Sequence, residues 1–243
     1  MKIGEIYSVL DEIAPFELQD EWDNSGVQIG SDEDEFDKIY LNIDVTSEVL
    51  DDIEENSLLI THHPLLYDKI KRIDKSRFPT NLIYKAIKKD IKIISMHLNA
   101  DKSFMNKYLV KDILGYNITY CNEYECYFEP NKPFDEFALE VSQKLDIDYL
   151  QVVKTKEFIK TASLCTGSGG SLLNSIKADC FLTGDLKYHL LLEAKENNIS
   201  LINIEHYKSE VIFSTALKNL LENKGINAII ANSSNPFTTI KGK

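Results

Sequence analysis

Two adjacent histidines end an apolar run in the first third of the chain. His62 and His63 follow Leu58–Thr61 and precede Pro64. Because proline has no N–H to give to a strand ladder, the pattern predicts a buried strand that stops at the histidine pair. Both imidazoles can reach one point only if the backbone turns before Pro64, since neighbouring strand side chains point to opposite faces. Neutral imidazole is a common metal ligand, so the pair indicates half of a metal site.

An isolated histidine pair is more often two polar residues of a loop than part of a metal site. The positions of the other three histidines help to decide between these two interpretations. His97 also ends an apolar run, and Asp101 follows it by four residues. His206 and Glu210 have the i, i+4 spacing that places an imidazole and a carboxylate on one face of a helix. The fifth histidine, His189, lies in a predicted helix. This repetition favours a metal site over scattered loop residues.

Five motifs together resemble those of the GTP cyclohydrolase 1 type 2 family, also called the Nif-three-like dinuclear metal proteins. The motifs are residues 22–30 (WDNSGVQIG), 61–64 (THHP), 97–101 (HLNAD), 183–185 (TGD) with His189, and 206–210 (HYKSE). They occur in the family's order, which makes the resemblance far more specific than any one motif.

The resemblance implies a dinuclear centre that binds two divalent metal ions per chain and a ring-shaped homohexamer, a toroidal trimer of dimers. The implied metal ligands are His62, His63, Asp101, His206 and Glu210. Mixed nitrogen and oxygen ligands admit Zn, Fe, Mn, Co or Ni. The resemblance places His189 beside the ions rather than on them. We therefore predict that His97 and His189 are catalytic and transfer protons, with His189 alternatively a substrate contact.

One position departs from the family pattern. Many relatives have a glycine immediately before the histidine of the last motif, where this chain has Glu205. The change either alters the turn or adds a carboxylate near the metals. It leaves the implied ligands unchanged.

The composition of the chain restricts its function class. With 243 residues, of which 43% are hydrophobic, the chain can bury a full core in one large or two small domains. A net charge of −12 disfavours nonspecific binding to nucleic acid or to a membrane, and no cluster of Lys and Arg stands out enough to offset it. We find no transmembrane stretch and no secretory signal, so we expect a cytoplasmic protein.

The cysteines have neither paired zinc spacing nor, in a chain of this size, the pattern of a disulfide framework. They are Cys121, Cys126, Cys165 and Cys180. We predict that all of them are reduced and structural.

Strands and helices alternate from residue 39 onward. We predict strands at 39–43, 58–61 and 91–96, separated by helices near 48–55 and 81–89, which is typical of a sheet with parallel strands. Sites in such sheets form at the carboxyl ends of the strands. Asp44, His62 and His97 follow these ends. Asp44 is either a group near the site or the N-terminal cap of the next helix.

The predicted fold class is α/β, with two α/β domains whose mixed sheets are flanked by helices, the Nif-three-like fold. Residues 1–125 and 199–243 form the predicted metal-ligand domain, and residues 126–198 form a second, smaller domain. Strands at 201–204 and 228–231 are predicted to complete the first sheet. The chain is too short for the inserted third domain of longer family members.

Two further segments allow a structural and a functional interpretation. Residues 22–30 either pack Trp22 beside a turn or contribute to a substrate site. Residues 166–171 (TGSGGS) form a turn between a strand and a helix. Its backbone N–H groups either cradle a phosphate or serve a tight turn alone.

The implied ligand set favours metal-dependent hydrolysis. Three histidines and two carboxylates exceed the ligands of one tetrahedral catalytic zinc and suit two ions that share a carboxylate and a bridging hydroxide, the predicted nucleophile. If the substrate is GTP, as the family name suggests, hydroxide would attack C8 and open the purine imidazole ring. Phosphoester or amide hydrolysis is equally compatible. The alternative is a non-catalytic hexameric module that binds metal or a partner.

Because ligand histidines must be neutral, metal binding should fail below about pH 6.

Overall fold

The computed structural model describes residues 1–232 and 234–240, which form two compact units. The first unit comprises Met1–Asn99 together with the C-terminal segment from Phe213, and the second comprises Ala100–Ile212. Each unit contains a mixed sheet flanked by helices, which confirms the predicted fold class.

The elements follow one another in short segments. Residues 1–113 contain α1 (Ile3–Ile13), β1 (Gly26–Ile29), β2 (Ile39–Asn42), α2 (Ser47–Asp52), β3 (Leu58–Thr61), α3 (Thr80–Lys88), β4 (Lys92–Ser95), α4 (Leu98–Ala100), α5 (Asn106–Tyr108), the π-helical turns Asp101–Met105 and Leu109–Ile113, and a 3₁₀ turn at Phe16–Leu18. The later residues contain β5 (Ile118–Cys121), β6 (Cys126–Phe128), β7 (Lys132–Pro133), α6 (Phe134–Lys144), β8 (Val152–Val153), β9 (Phe158–Ile159), β10 (Ala162–Leu164), a 3₁₀ turn at Gly170–Ser175, β11 (Cys180–Thr183), α7 (Tyr188–Glu196), β12 (Ser200–Asn203), α8 (His206–Glu210), α9 (Ile212–Glu222) and β13 (Ile229–Ile230). No helix in the described part of the chain has the length and apolar character needed to cross a membrane.

The five-stranded sheet of the first unit has the order β1-β4-β3-β2-β13. Its strands are parallel except for β1, which is antiparallel to β4. Every residue of β2, β3 and β4 is buried, as expected for parallel strands covered on both faces. Asn42, Thr61 and Ser95 are in register at their carboxyl ends. The segments that carry His62 and His97 therefore follow the strands at the same edge of the sheet, as predicted.

The six-stranded sheet of the second unit has the order β5-β6-β10-β11-β12-β8. Strands β10, β11 and β12 are parallel, whereas the others run antiparallel to their neighbours. Strands β7 and β9 form a separate two-stranded sheet. Thr183 and Asn203 are partners in the register of β11 and β12. The segments that follow them, which carry Asp185 and His206, therefore leave the sheet side by side.

The strand predicted at 201–204 does not belong to the first sheet. Strand β12 pairs in parallel with β11 and antiparallel with β8, so it lies inside the second unit. A short apolar run carries no information about which of two sheets it will join, and this explains the error. By their internal contacts, the two units divide after Asn99 and Ile212, whereas the predicted boundaries are after residues 125 and 198. The strand predicted at 228–231 does extend the first sheet, as β13 beside β2.

The prediction that all four cysteines are reduced is wrong for two of them. Cys121 and Cys126 form a disulfide across the hairpin of β5 and β6. The hairpin register sets them directly opposite each other, with their Cα atoms 4.1 Å apart. The spacing of five residues did not show this register. Cys165 and Cys180 are free, as predicted.

Candidate metal centre

Three imidazole rings lie together in the first unit. The ring centroid of His62 is 5.0 Å from that of His63 and 5.2 Å from that of His97, and the last two are 5.7 Å apart. One potential ligand atom from each histidine lies within 4.8 Å of the others. We call these three residues the imidazole trio. His97 is thus a third potential ligand in this unit, in addition to its predicted role in proton transfer.

Oxygen acceptors orient the two adjacent histidines. Nδ1 of the buried His62 lies 2.9 Å from the carbonyl oxygen of Met96, and Nδ1 of His63 lies 2.7 Å from Oδ1 of Asp44. A carbonyl or carboxylate oxygen accepts but cannot donate, so each Nδ1 carries a hydrogen, and in the neutral ring each Nε2 presents its lone pair. The helix α2 is capped by Thr46, so the role of Asp44 is to orient His63.

The motif at residues 22–30 holds His97. Oδ1 of Asp23 lies 2.7 Å from Nδ1 of His97, while Ser25 Oγ donates to Asp23 Oδ2 at 2.8 Å and accepts the backbone N–H of His97 at 3.1 Å. Burial alone would raise the pKa of Asp23, but the hydrogen bond and charge of His97, with the Ser25 hydroxyl and the Asn24 N–H, outweigh it and lower that pKa. Asp23 is therefore an anion that fixes the orientation of the His97 ring.

Trp22, in the same motif, does not pack into the core. Its side chain is 57% exposed, and its ring meets that of His97 edge-on with 6.4 Å between the centroids. Tyr67, which is 53% exposed, meets His97 in the same way at 6.5 Å. This excludes the interpretation of Trp22 as a residue packed beside a turn.

The second unit contains a carboxylate and imidazole cluster. His206, at the start of α8, has Nδ1 2.7 Å from Oδ2 of Asp185 and Nε2 2.8 Å from Oε2 of Glu210. One carboxylate oxygen of Glu210 lies within 4.8 Å of one of Asp101, and Thr166 Oγ1 donates to Asp101 at 3.0 Å. Glu210 is buried, so its charge is poorly screened by solvent.

These carboxylates control the protonation of His206. The hydrogen bond with Glu210 is the main cause that raises the pKa of His206 to about 9, with the charge of Glu210 and the contact with Asp185 adding to it and burial opposing it. In metal-free protein, His206 therefore carries a proton at neutral pH. A metal that binds Nε2 must displace that proton.

The glycine-rich loop at residues 166–171 supports this cluster structurally. The N–H of Gly167 donates to Ser209 Oγ at 3.0 Å, and the N–H of Gly169 donates to Thr183 Oγ1 at 2.8 Å. Both N–H groups are already hydrogen-bonded within the unit, which favours the tight turn over a phosphate cradle. Gly167 has φ +61°, and a Cβ there would lie 2.0 Å from Oε1 of Glu210. Only glycine therefore lets the loop pass this carboxylate.

In the described part of the chain, His189 has no hydrogen bond or ion pair with these groups. It is exposed on α7, with its ring beside that of Tyr188 at a centroid distance of 5.4 Å. Among the described residues, it joins none of the clusters with metal-ligand spacing. Asp185, four residues earlier, contacts His206. The proton-transfer role of His189 stays a prediction.

The free thiols do not offer a nucleophile. Burial is the main cause that raises the pKa of Cys165, and the charges of Asp101, Glu125 and Glu210 raise it further. Burial likewise raises the pKa of Cys180. Both residues are therefore thiols at neutral pH, and the thiolate is the reactive form of cysteine.

Asp23 and Asp185 are partners of the histidines that the sequence pattern did not reveal. They lie 74 and 21 residues from His97 and His206, respectively, too far for any local pattern to pair them. The available signal was an acidic residue within each of two motifs.

Glu205 adopts a backbone conformation that favours glycine, with φ +56° and ψ 143°. We expect Glu205→Gly to raise the free energy of unfolding by about 1 kcal/mol, because relief of this strain exceeds the entropic cost of glycine. Thermal unfolding of the metal-free protein would measure the gain. Glu205→Ala keeps a Cβ and should not reproduce it. An equal gain in both variants would show that the carboxylate, rather than the backbone, is the cause.

The chain is similar to known proteins over nearly all of its length. The family model Duf34/NIF3 (NGG1p interacting factor 3) matches residues 1–236. A GTP cyclohydrolase 1 type 2 homolog from Campylobacter jejuni is 42% identical and covers 98% of this chain and 99% of its own. A GTP cyclohydrolase 1 type 2 from Helicobacter pylori is 35% identical with the same coverage. The crystal structure of Staphylococcus aureus hypothetical protein SA1388 matches with a TM-score of 0.88 over 99% of both chains, at 26% identity.

Proposed function

Because the chain belongs to the Duf34/NIF3 family, we propose that it is a hydrolase that requires two divalent metal ions. The proposed ligands are His62, His63, Asp101, His206 and Glu210. The observation that carries the proposal is that every histidine of this set has an oxygen acceptor at Nδ1, which orients Nε2 as a ligand atom.

The chemistry of the donors fits such ions. Imidazole nitrogen and carboxylate oxygen suit Zn, Fe, Mn, Co and Ni, whereas Mg and Ca prefer oxygen alone. Asp44 and Asp185 add negative charge behind two of the histidines. These carboxylates would raise the basicity of the ligands and offset the charge of the ions.

Divalent ions held by these residues would lower the pKa of a bound water toward neutrality and supply hydroxide for hydrolysis. The protein itself supplies orientation and proton transfer. The anionic Asp23 orients the ring of His97 through its contact with Nδ1. We assign to His97 the transfer of a proton to a leaving nitrogen or oxygen.

The names of the relatives suggest GTP as the substrate. Addition of water at C8 of the purine, followed by cleavage of the bond between C8 and a ring nitrogen, opens the imidazole ring. The departing nitrogen must gain a proton, and we assign its delivery to His97.

The test is an assay of purified protein with GTP in the presence of Mn²⁺, Zn²⁺ or Fe²⁺. We expect ring opening with at least one metal. His63→Ala should abolish it, and Asp44→Asn should weaken metal binding by about 10- to 100-fold. His97→Gln should slow turnover but keep the metal content. If no metal supports turnover while two ions remain tightly bound, the protein is instead a non-catalytic metal-binding module.

A further inference from the structure

The exposed rings of Trp22 and Tyr67 form an aromatic pair beside the imidazole trio. Their centroids are 6.3 Å apart with an interplanar angle of 69°, and each ring meets the edge of His97. More than half of each side chain is open to solvent. Large aromatic surface exposed beside a polar cluster is available for a ligand to cover.

Hydrogen bonds fix the segments that carry the two rings. Asn24 Nδ2 donates to the carbonyl oxygen of Leu66 at 2.6 Å, and the N–H of Leu66 donates to Gln28 Oε1 at 3.1 Å. These bonds join the motif at residues 22–30 to the residue before Tyr67. The aromatic pair is thus held in place by its backbone.

A basic segment begins two residues after Tyr67, beyond the acidic Asp68. Residues 69–77 contain Lys69, Lys71, Arg72, Lys75 and Arg77, with Asp74 as the one acid. Arg72 pairs with Asp74 at 2.7 Å. The other four cations are exposed, and among the described residues none of them has an acidic partner.

Asp74 anchors the basic segment. Its Oδ1 accepts hydrogen bonds from the backbone N–H and the hydroxyl of Ser76 at 3.0 and 2.7 Å, and its carbonyl oxygen accepts from Thr80 Oγ1 at 2.7 Å. Thr80 begins α3 and is buried. The carbonyl oxygen of Arg77 also accepts hydrogen bonds, from Thr80 Oγ1 at 3.1 Å and from the N–H of Asn81 at 2.8 Å. The segment is therefore tied to the start of the helix at Asp74 and Arg77, while its unpaired cations face solvent.

We propose that the aromatic pair and the basic segment form a subsite for a free nucleotide, with the rings against the base and the cations against the phosphates. The Cα atoms of Tyr67 and Lys69 can be no more than about 7 Å apart, and those of Tyr67 and Lys71 no more than about 14 Å. Bases stack on aromatic side chains, and Lys and Arg bind phosphate oxygens. This inference rests on the proposed function, because it names the substrate class and the residues outside the metal ligands that hold it.

The charge of the protein favours a free nucleotide over a nucleic acid strand. Each further phosphate of a long strand would meet a surface with an excess of acidic residues, since the chain has 39 acidic and 27 basic side chains. Four unpaired cations match one triphosphate. The substrate class is therefore a nucleoside phosphate with an aromatic base.

Trp22 is the only tryptophan of the chain, so its fluorescence reports on this subsite alone. We would titrate GTP, guanosine and inorganic tripolyphosphate into protein freed of metal by a chelator, and repeat this with metal. We expect GTP to quench the fluorescence saturably and guanosine to bind at least about 10-fold more weakly. Tripolyphosphate should displace GTP without quenching. Tyr67→Ala should weaken GTP binding by about 5- to 150-fold, the range for loss of one stacking ring.

A charge-matched pair of variants isolates the basic segment. Replacing Lys69, Lys71, Lys75 and Arg77 by Gln should reduce GTP binding to the level of guanosine. Replacing the exposed Lys88, Lys107, Lys111 and Lys195 by Gln changes the net charge equally and should leave binding unchanged. Equal weakening by both sets, no quenching by GTP, or tighter binding of a single-stranded oligonucleotide than of GTP would overturn the proposal. Because these titrations need no turnover, absence of hydrolysis contradicts only the proposed function.

Discussion

Replacement of Glu210 by Gln is expected to reduce the metal content from two ions per chain to at most one. Glu210 is 3% exposed, and its carboxylate lies 2.8 Å from His206 Nε2 and within 4.8 Å of an oxygen of Asp101. A carboxylate can share its two oxygens between two ions, whereas an amide offers one neutral acceptor. The loss of metal affinity should exceed the roughly 10- to 100-fold loss caused by removing an outer hydrogen-bond partner of a metal ligand. Elemental analysis after dialysis measures it.

Glu205→Gln is the matched control, since it makes the same chemical change one residue before α8. It should retain two ions, and it also tests whether Glu205 adds a carboxylate to the metals. Thermal unfolding of both metal-free variants would show whether either substitution disturbs the fold. If Glu210→Gln retains both ions, Glu210 is not a ligand, and the proposed carboxylate bridge fails.

The parts of the fold that follow from local pattern were predictable. The apolar runs at β2, β3 and β4 are continuous because parallel strands are buried on both faces, so their positions could be read directly from the sequence. Proline and polar residues mark where these strands stop. Because parallel strands end at one edge, the meeting of His62, His63 and His97 followed from the strand assignments.

The parts that depend on pairing across the chain were not predictable in the same way. Membership of β12 in the second sheet, the opposition of Cys121 and Cys126, and the contact of Asp23 with His97 are all set by register or tertiary packing. A period of two or 3.6 residues specifies an element and its buried face but not its partner. The sequence pattern therefore located the candidate ligands and missed most of the acceptors that orient them.

The protonation of His206 changes the pH dependence expected from the sequence alone. An ordinary histidine would be neutral above about pH 6.5 and would hinder metal binding only below that. Contacts with Glu210 and Asp185 instead raise the pKa of His206 to about 9 in metal-free protein. The ion pair stabilises the fold fully below about pH 6.5, and this contribution is lost as the pH rises through about 9.

Metal binding has the opposite pH dependence, because Nε2 of His206 must lose its proton before it can bind a metal ion. We expect metal affinity to rise about tenfold per pH unit from this proton alone, up to about pH 9, where the rise should stop. Calorimetry in buffers of different ionisation heat should therefore detect about one proton released by His206 near pH 7.5 and almost none well above pH 9.

Proton NMR of the metal-free protein can assign this effect, since the chain has only five histidines. Asp185→Asn removes a charge that raises the pKa of His206, so it should lower that pKa while leaving Glu210 in place. His189→Gln alters an exposed histidine and should leave the His206 titration unchanged. A His206 that titrates near 6.5 in the wild-type protein would contradict the argument, because the metal would then have no bound proton to displace at neutral pH.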